Sequence, residues 1–202
     1  HATLRDADLH PVWCFIYDEF WELTIKADEY IKSAFGANYK KMPAMWAWHV
    51  DPSKFERGWR IHRDMGIESL FEDATPKSIS IWIPLTDATV ENGCMYVLPR
   101  SYDSSYLLSE YLDFDLEKKD IHKAIPLEAK AGDILGWTQQ NMHWGGETTN
   151  EKASPRISVS VEFVSEQVEE TTIEYYNKIP WLDPYFIPTL HEKINIIERQ
   201  IN

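Results

Sequence analysis

Hydrophobic spacing changes character along the chain. Phe20, Leu23, Ala27, Tyr30, Ile31 and Ala34 recur at intervals of three and four, so residues 15–35 read as an amphipathic helix. Gly36 and Asn38 follow as stop signals. From residue 42 onward the period drops to two. Met42, Ala44, Trp46, Trp48 and Val50 fall on one face of an extended segment, and WRIHRDM (59–65) is a short extended candidate. SISIWIPL (78–85) sets Ile79, Ile81, Ile83 and Leu85 against Ser78, Ser80, Trp82 and Pro84.

The turn at ENG (91–93) leads into CMYVL (94–98), which Pro99 ends. HKAIPLEA (122–129) and GDILGW (132–137) bracket another turn, and NMHWGG (141–146) and RISVSVEF (156–163) supply further strands. Residues 101–120 are polar, acidic and tyrosine-bearing, which suits a long loop or lid. A charged stretch (165–178) and a Pro-rich segment come next. The helical period then returns with Leu190, Ile194, Ile197 and Ile201.

About eight short strands with helices confined to the flanks predict a mainly β fold, a jelly roll or related barrel. One domain accommodates the whole pattern: a helix at about 15–35, a barrel at about 42–163 and a C-terminal extension with its helix at about 164–202. Helices do not alternate with the strands, and no Gly-rich phosphate loop follows any strand, which argues against a doubly wound α/β fold.

Composition narrows the partners. The 202 residues are 44% apolar and 26% charged, ordinary globular usage that excludes a fibre or a disordered chain. Twenty basic against 33 acidic residues leave a net charge of −13, which repels phosphate backbones and anionic lipid. Nucleic acid and membrane are therefore not the expected partners; a small molecule is. No stretch approaches the length of a membrane span. HATLRDADLH, the opening residues, carry neither a basic start nor an apolar run, so they do not read as a signal peptide. Two cysteines, Cys14 and Cys94, make no disulfide scaffold and suit a reducing cytoplasmic compartment. Nine tryptophans are a surplus that fits either core or a cavity wall.

The chemistry concentrates in few places. His62 and Asp64 stand two apart in an extended segment, which sends an imidazole and a carboxylate off the same face. His143, followed by Gly145 and Gly146, is the best third ligand. Two histidines and one carboxylate on one side of a metal form the facial triad of non-haem Fe(II) oxygenases. Arg156 and Ser158 share an inward strand face, and a guanidinium beside a hydroxyl makes a fork for a carboxylate. The competing partner for Arg156 is Glu162 on that same face.

These segments together resemble the phytanoyl-CoA dioxygenase-like branch of the Fe(II)/2-oxoglutarate-dependent oxygenases. The resemblance runs through WRIHRD (59–64), residues 78–102, GDILGW (132–137) and residues 143–163. It implies a double-stranded β-helix with iron held by His62, Asp64 and His143. It also implies that Arg156 binds the far carboxylate of 2-oxoglutarate, that Ser158 assists, and that Trp82 lines the co-substrate pocket. Fe(II), 2-oxoglutarate and O2 are the expected cofactor and co-substrates. Asp64 fills the position that halogenating relatives leave open for chloride, so hydroxylation of a small molecule with loss of CO2 from 2-oxoglutarate is favoured. Arg100 and Tyr102 depart from the family's usual Gly and His, and Lys40 or Lys41 are the candidates for a lysine that some members place on an early strand.

For substrate contacts the expectation falls on Trp48, Arg63 and Trp144, with Trp46 and Arg60 nearby and Tyr106 and Tyr111 on the lid. Two other functions use the same residues: a non-catalytic binding module on the same barrel, or a zinc hydrolase built on the same triad. His10, His49, His122 and His191 read as structural or exposed, and the cysteines as core.

Overall fold

A computed structural model describes residues 9–36, 39–108, 120–168, 185 and 187–201. Among the described residues, seven strands form two antiparallel sheets. The larger holds β1 (Tyr39–Val50), β7 (Arg156–Ser165), β2 (Ser78–Pro84) and β5 (Leu135–Thr138) in that order. The smaller runs β4 (Ile125–Leu127), β3 (Met95–Val97), β6 (His143–Gly145). With helices flanking antiparallel sheets, this is a jelly-roll architecture.

Alternation decides which residues meet the helices and which meet the interior. On the larger sheet, Met45 and Ala47 of β1, Ile79, Ile81 and Ile83 of β2, and Val159, Val161 and Phe163 of β7 are buried in one apolar cluster. Phe15, Trp21, Ile31, Ile196 and Ile197 from the flanking helices complete it, so the main core lies outside the barrel, between sheet and helices. The opposite face of β7 carries Arg156, Ser158, Ser160 and Glu162. Trp48 pairs with Ser158, and Trp46 and Trp82 both pair with Ser160. A polar strand face is stable there because it surrounds a cavity rather than packed side chains.

The predicted N-terminal helix is two pieces. A 3-10 helix spans Pro11–Ile16, Tyr17 is extended (φ −85°, ψ 139°), and α1 runs Asp18–Phe35. Gly36 ends it at φ 90°, its N–H donating to the Lys32 carbonyl. The buried stripe is Phe20, Trp21, Thr24, Ala27, Asp28 and Ile31, whereas Tyr30 lies on the solvent side. Thr24 is drawn inward because its hydroxyl accepts from the buried Lys41 ammonium at 2.8 Å.

β1 also departs from simple alternation. Its register against β7 shifts between Lys41 and Met45, so Met42 and Ala44 pack with Val164 and Val168 instead of continuing the Trp46–Trp48 face. Pro43 lies within that bulge, where it cannot donate to the ladder. The side chain of Gln200 fills in, accepting from Met45 N at 3.3 Å and donating to the Pro43 carbonyl at 3.2 Å. Gln200 belongs to α2 (Leu190–Ile201), which opens on a capping box between Thr189 and Glu192. The buried residues of α2 are Lys193, Ile196 and Ile197, not the full Leu190/Ile201 stripe. Lys193 is turned inward by Asp18 and the Ile16 carbonyl.

The 59–65 segment is not a ladder strand; His62 forms one isolated bridge to His143. The ENG turn matches its prediction. Asn92 accepts from Thr89 N and donates to the carbonyls of Asp87 and Ser154, and Gly93 takes φ 80°. Tyr111 and most of the expected lid, and the charged and Pro-rich stretch from 169 to 184, lie outside the described residues.

Candidate metal and co-substrate site

His62 reaches the smaller sheet through its bridge to β6. His62 N donates to the His143 carbonyl at 3.0 Å and His143 N to the His62 carbonyl at 2.9 Å. The two imidazoles therefore stand side by side, ring centroids 4.3 Å apart. Asp64, two residues on, turns its Oδ1 between them, 3.4 Å from Nε2 of each ring. One ligand atom from each residue lies within 4.8 Å of the others.

What surrounds the three residues prepares them for a cation. His62 Nδ1 lies 2.6 Å from the Arg60 carbonyl and His143 Nδ1 lies 3.0 Å from that of Asn141. A carbonyl can only accept, so both rings carry a proton on Nδ1, which leaves Nε2 as the nitrogen that faces Asp64 and would meet a metal. Ser80 donates to Asp64 Oδ2 at 2.6 Å, fixing the carboxylate and leaving Oδ1 on the histidine side. Burial works against the charged forms here, yet the His143 imidazole and the hydrogen bonds from His143, His62 and Ser80 hold the Asp64 carboxyl well below the usual range. Burial likewise opposes a charged His143, but the Asp64 carboxylate pushes its pKa above the ordinary value. Ligands at about 2.1 Å from a shared metal stand roughly 3 Å apart when mutually perpendicular, and the 3.4 Å separation of Asp64 Oδ1 from each imidazole is close to that spacing.

The triad borders a cavity of about 250 Å3 whose wall also includes Trp46, Trp48, Trp59, Trp82, Trp137 and Arg156. Arg156 is 1% exposed, donates through Nη1 to Ser158 Oγ at 2.8 Å and lies 5.6 Å from the Trp82 ring centroid. Among the described residues no carboxylate pairs with it, Glu162 included. Burial without an anion pulls its pKa down to about 10. Its Nε, the Trp82 indole N–H and the Trp137 indole N–H are all buried without a hydrogen-bond partner. A cavity bordered by three orphaned donors and one buried cation is built for an acceptor-rich anion.

Room around Arg156 comes from a glycine pair. A methyl group on Gly58 would lie 2.6 Å from Gly145 Cα and 3.0 Å from Arg156 Nη2. One on Gly145 would meet Gly58 Cα at 2.6 Å.

The structure separates the expected substrate contacts. Trp48 lines the cavity. Arg63 does not: its side chain is fully buried on the other side of the loop. There Nη2 lies 2.7 Å from Asp103 Oδ2 and Nη1 donates to the Gln140 carbonyl. Neighbouring residues in an extended segment point oppositely, so an arginine between two ligands that face the cavity must face away. Trp144 stacks on Tyr96 (5.5 Å, 10°) and lines an outer groove, not the cavity. Tyr106 is core: its hydroxyl bonds Thr138 Oγ1 at 2.8 Å. Lys41 is turned toward α1, Lys40 lies 3.7 Å from Glu166 on the surface, and neither lines the cavity.

Sequence reasoning misses Ser80, Trp59, Gly58 and Trp137. Ser80 is legible from its place on the Trp82 face of β2. Trp137, whose ring is 4.8 Å from that of His143, and Gly58 become visible only once the sheets are paired.

A sequence model of the phytanoyl-CoA dioxygenase (PhyH) family matches residues 1–158. "Phytanoyl-CoA dioxygenase 1" of rice, Oryza sativa subsp. japonica, is 28% identical over 67 residues, covering 30% of this chain and 24% of that protein. Among solved structures, EvdMO1 is similar at 23% identity and a TM-score of 0.53, over 69% of this chain and 30% of its own. The non-haem α-ketoglutarate-dependent epimerase SnoN, from nogalamycin biosynthesis, is similar at 18% identity and a TM-score of 0.58, over 84% of this chain and 66% of its own. The chain thus spans about a quarter of the rice relative and under a third of EvdMO1.

Proposed function

Because the chain belongs to the phytanoyl-CoA dioxygenase family, we propose that it is a non-haem Fe(II)- and 2-oxoglutarate-dependent oxygenase that hydroxylates a small molecule. The observation that carries this reading is one cavity joining a His62–Asp64–His143 cluster to Arg156, a buried cation with no acidic partner among the described residues. A two-His, one-carboxylate site alone suits several metals and reactions; adding a buried carboxylate receptor selects a keto-diacid co-substrate. SnoN has been solved with Fe3+ and α-ketoglutarate on a similar fold, which agrees with that choice.

Bound iron would supply the redox chemistry, one atom of O2 entering succinate as CO2 leaves 2-oxoglutarate and the other entering the product. The chain's own work is positioning. His62 and His143 offer Nε2 because backbone carbonyls occupy their Nδ1 protons. Asp64 offers Oδ1, with Ser80 holding Oδ2. Arg156 would hold the distal carboxylate of 2-oxoglutarate, Ser158 steadies the guanidinium, and the indole N–H groups of Trp82 and Trp137 are donors available to the anion. Trp46 and Trp48 wall the cavity with apolar surface that excludes water.

Succinate formation is the test. Incubated with Fe(II), 2-oxoglutarate and O2, the protein yields succinate and CO2, and omitting iron or O2 stops both. Succinate output independent of iron, or none across a broad panel of small-molecule substrates, would contradict the proposal.

A further inference from the structure

Trp59 has no part in holding metal or co-substrate, yet it stands at the mouth of the same cavity. It is 53% exposed, unusual for so large an apolar side chain. Its backbone is fixed, the Trp59 carbonyl accepting from Gly145 N at 3.1 Å. Its ring packs edgewise or tilted on three others: Trp46 at 5.7 Å, Trp48 at 6.1 Å and His62 at 5.7 Å. The ring is therefore held on one side by aromatic neighbours, one of them a candidate metal ligand, and open on the other.

That open side faces a second space. Trp59 lines both the cavity and an outer groove, whose wall also includes Ile61, Ile121 and Trp144. Trp144 is itself braced by parallel stacking on Tyr96. At the rim Arg57 and Glu147 lie 3.4 Å apart and offset each other's charge. The groove thus offers two braced indoles and aliphatic surface, with Arg60 as a further exposed cation at its edge.

We propose that Trp59 is the substrate-recognition residue, and that the substrate carries a planar, unsaturated ring system that stacks on its open face while an adjoining carbon reaches the metal side of the cavity. This rests on the oxygenase reading. A flat ring is preferred over a saturated or chain-like body because fixed indoles reward parallel or edge-on π contact beyond the area they bury. Their immobility also means that little ordering cost opposes binding.

The test uses three uncharged alcohols: 2-naphthol, its saturated counterpart 2-decalol, and 1-decanol. Each is titrated calorimetrically into the full chain, first loaded with Fe(II) and 2-oxoglutarate under argon, then without either. Wild type is expected to bind 2-naphthol roughly two- to tenfold more tightly than the other two. Trp59→Phe keeps that preference, and Trp59→Leu brings the three to parity. Equal binding in wild type, no measurable binding of 2-naphthol, or a preference that survives Trp59→Leu would overturn the proposal. Binding of 2-oxoglutarate to the iron-loaded protein is read separately. Its failure would remove the oxygenase reading, while the ring preference is still decided by the titrations without iron.

Discussion

His62 and His143 exchange both backbone hydrogen bonds of a single antiparallel bridge, and that bridge joins the irregular 59–65 segment to β6. Residues distant in sequence thereby present their imidazoles in register, and Asp64 needs only the next same-face position to close the cluster. The bridge is held by Gly145, whose N–H bonds the Trp59 carbonyl, just before His62 in the chain.

Metal affinity should follow this geometry. Asp64→Ala and His143→Ala are each expected to abolish measurable Fe(II) binding, since among the described residues no further His, Cys, Asp or Glu joins the cluster to replace either. Ser80→Ala, which frees Asp64 Oδ2 but removes no ligand, should weaken binding by about tenfold, at the low end for a residue that orients a ligand. Calorimetric titration with Fe(II) under argon checks all three, and circular dichroism checks that the variants fold.

Arg156 should govern the co-substrate. Breaking a buried charge pair from one side costs ~3–5 kcal/mol, which is roughly two to three and a half decades of affinity. Arg156→Ala is expected to raise the 2-oxoglutarate dissociation constant at least about a hundredfold with Fe(II) affinity little changed. Arg156→Lys recovers part of this, because an ammonium offers a point charge and no planar fork. Ser158→Ala costs about 1 kcal/mol, the net worth of one hydrogen bond. Calorimetric titration of the iron-loaded variants with 2-oxoglutarate under argon gives each constant.

The glycine pair should behave as a spacer. Gly58→Ala puts a methyl group against both Gly145 Cα and the Arg156 guanidinium. Overpacking of this kind costs about 1–3 kcal/mol, so a lowered urea midpoint is expected together with weaker 2-oxoglutarate binding. Gly36→Ala, where a methyl group meets nothing within 4 Å, is the control: its strain at φ 90° lowers stability without touching co-substrate affinity.

Arg63 should matter for folding alone. Removing it leaves the Asp103 carboxylate buried, so Arg63→Ala is expected to lower unfolding free energy by ~3–5 kcal/mol. Urea denaturation measures that loss. In conditions where the variant remains folded, its 2-oxoglutarate affinity should stay within a few-fold of wild type.

Strand periodicity makes much of the barrel legible. β2 and β7 alternate as their sequences predict, because one face meets helices and the other a cavity. Trp82, Arg156 and Ser158 fall on the inward side for the same reason. The 59–65 segment reads as a strand because His62 and Asp64 stand two apart, but a single bridge to His143 suffices to aim both. Arg63 misleads because a cation next to a ligand looks available until Asp103, far along the chain, is brought beneath it. The β1 bulge, the Gly58–Gly145 contact and the exposure of Trp59 depend on how distant segments pack, which no local period encodes.

The most direct test of the central claim is an anaerobic titration of the Fe(II)-loaded chain with 2-oxoglutarate, followed by visible absorption. Chelation of iron by the keto-acid is expected to give a weak charge-transfer band that saturates in wild type, shifts to much higher 2-oxoglutarate in Arg156→Ala, and is absent in His143→Ala. No band in wild type, or one unchanged in both variants, would contradict the assignment of this cavity to Fe(II) and 2-oxoglutarate.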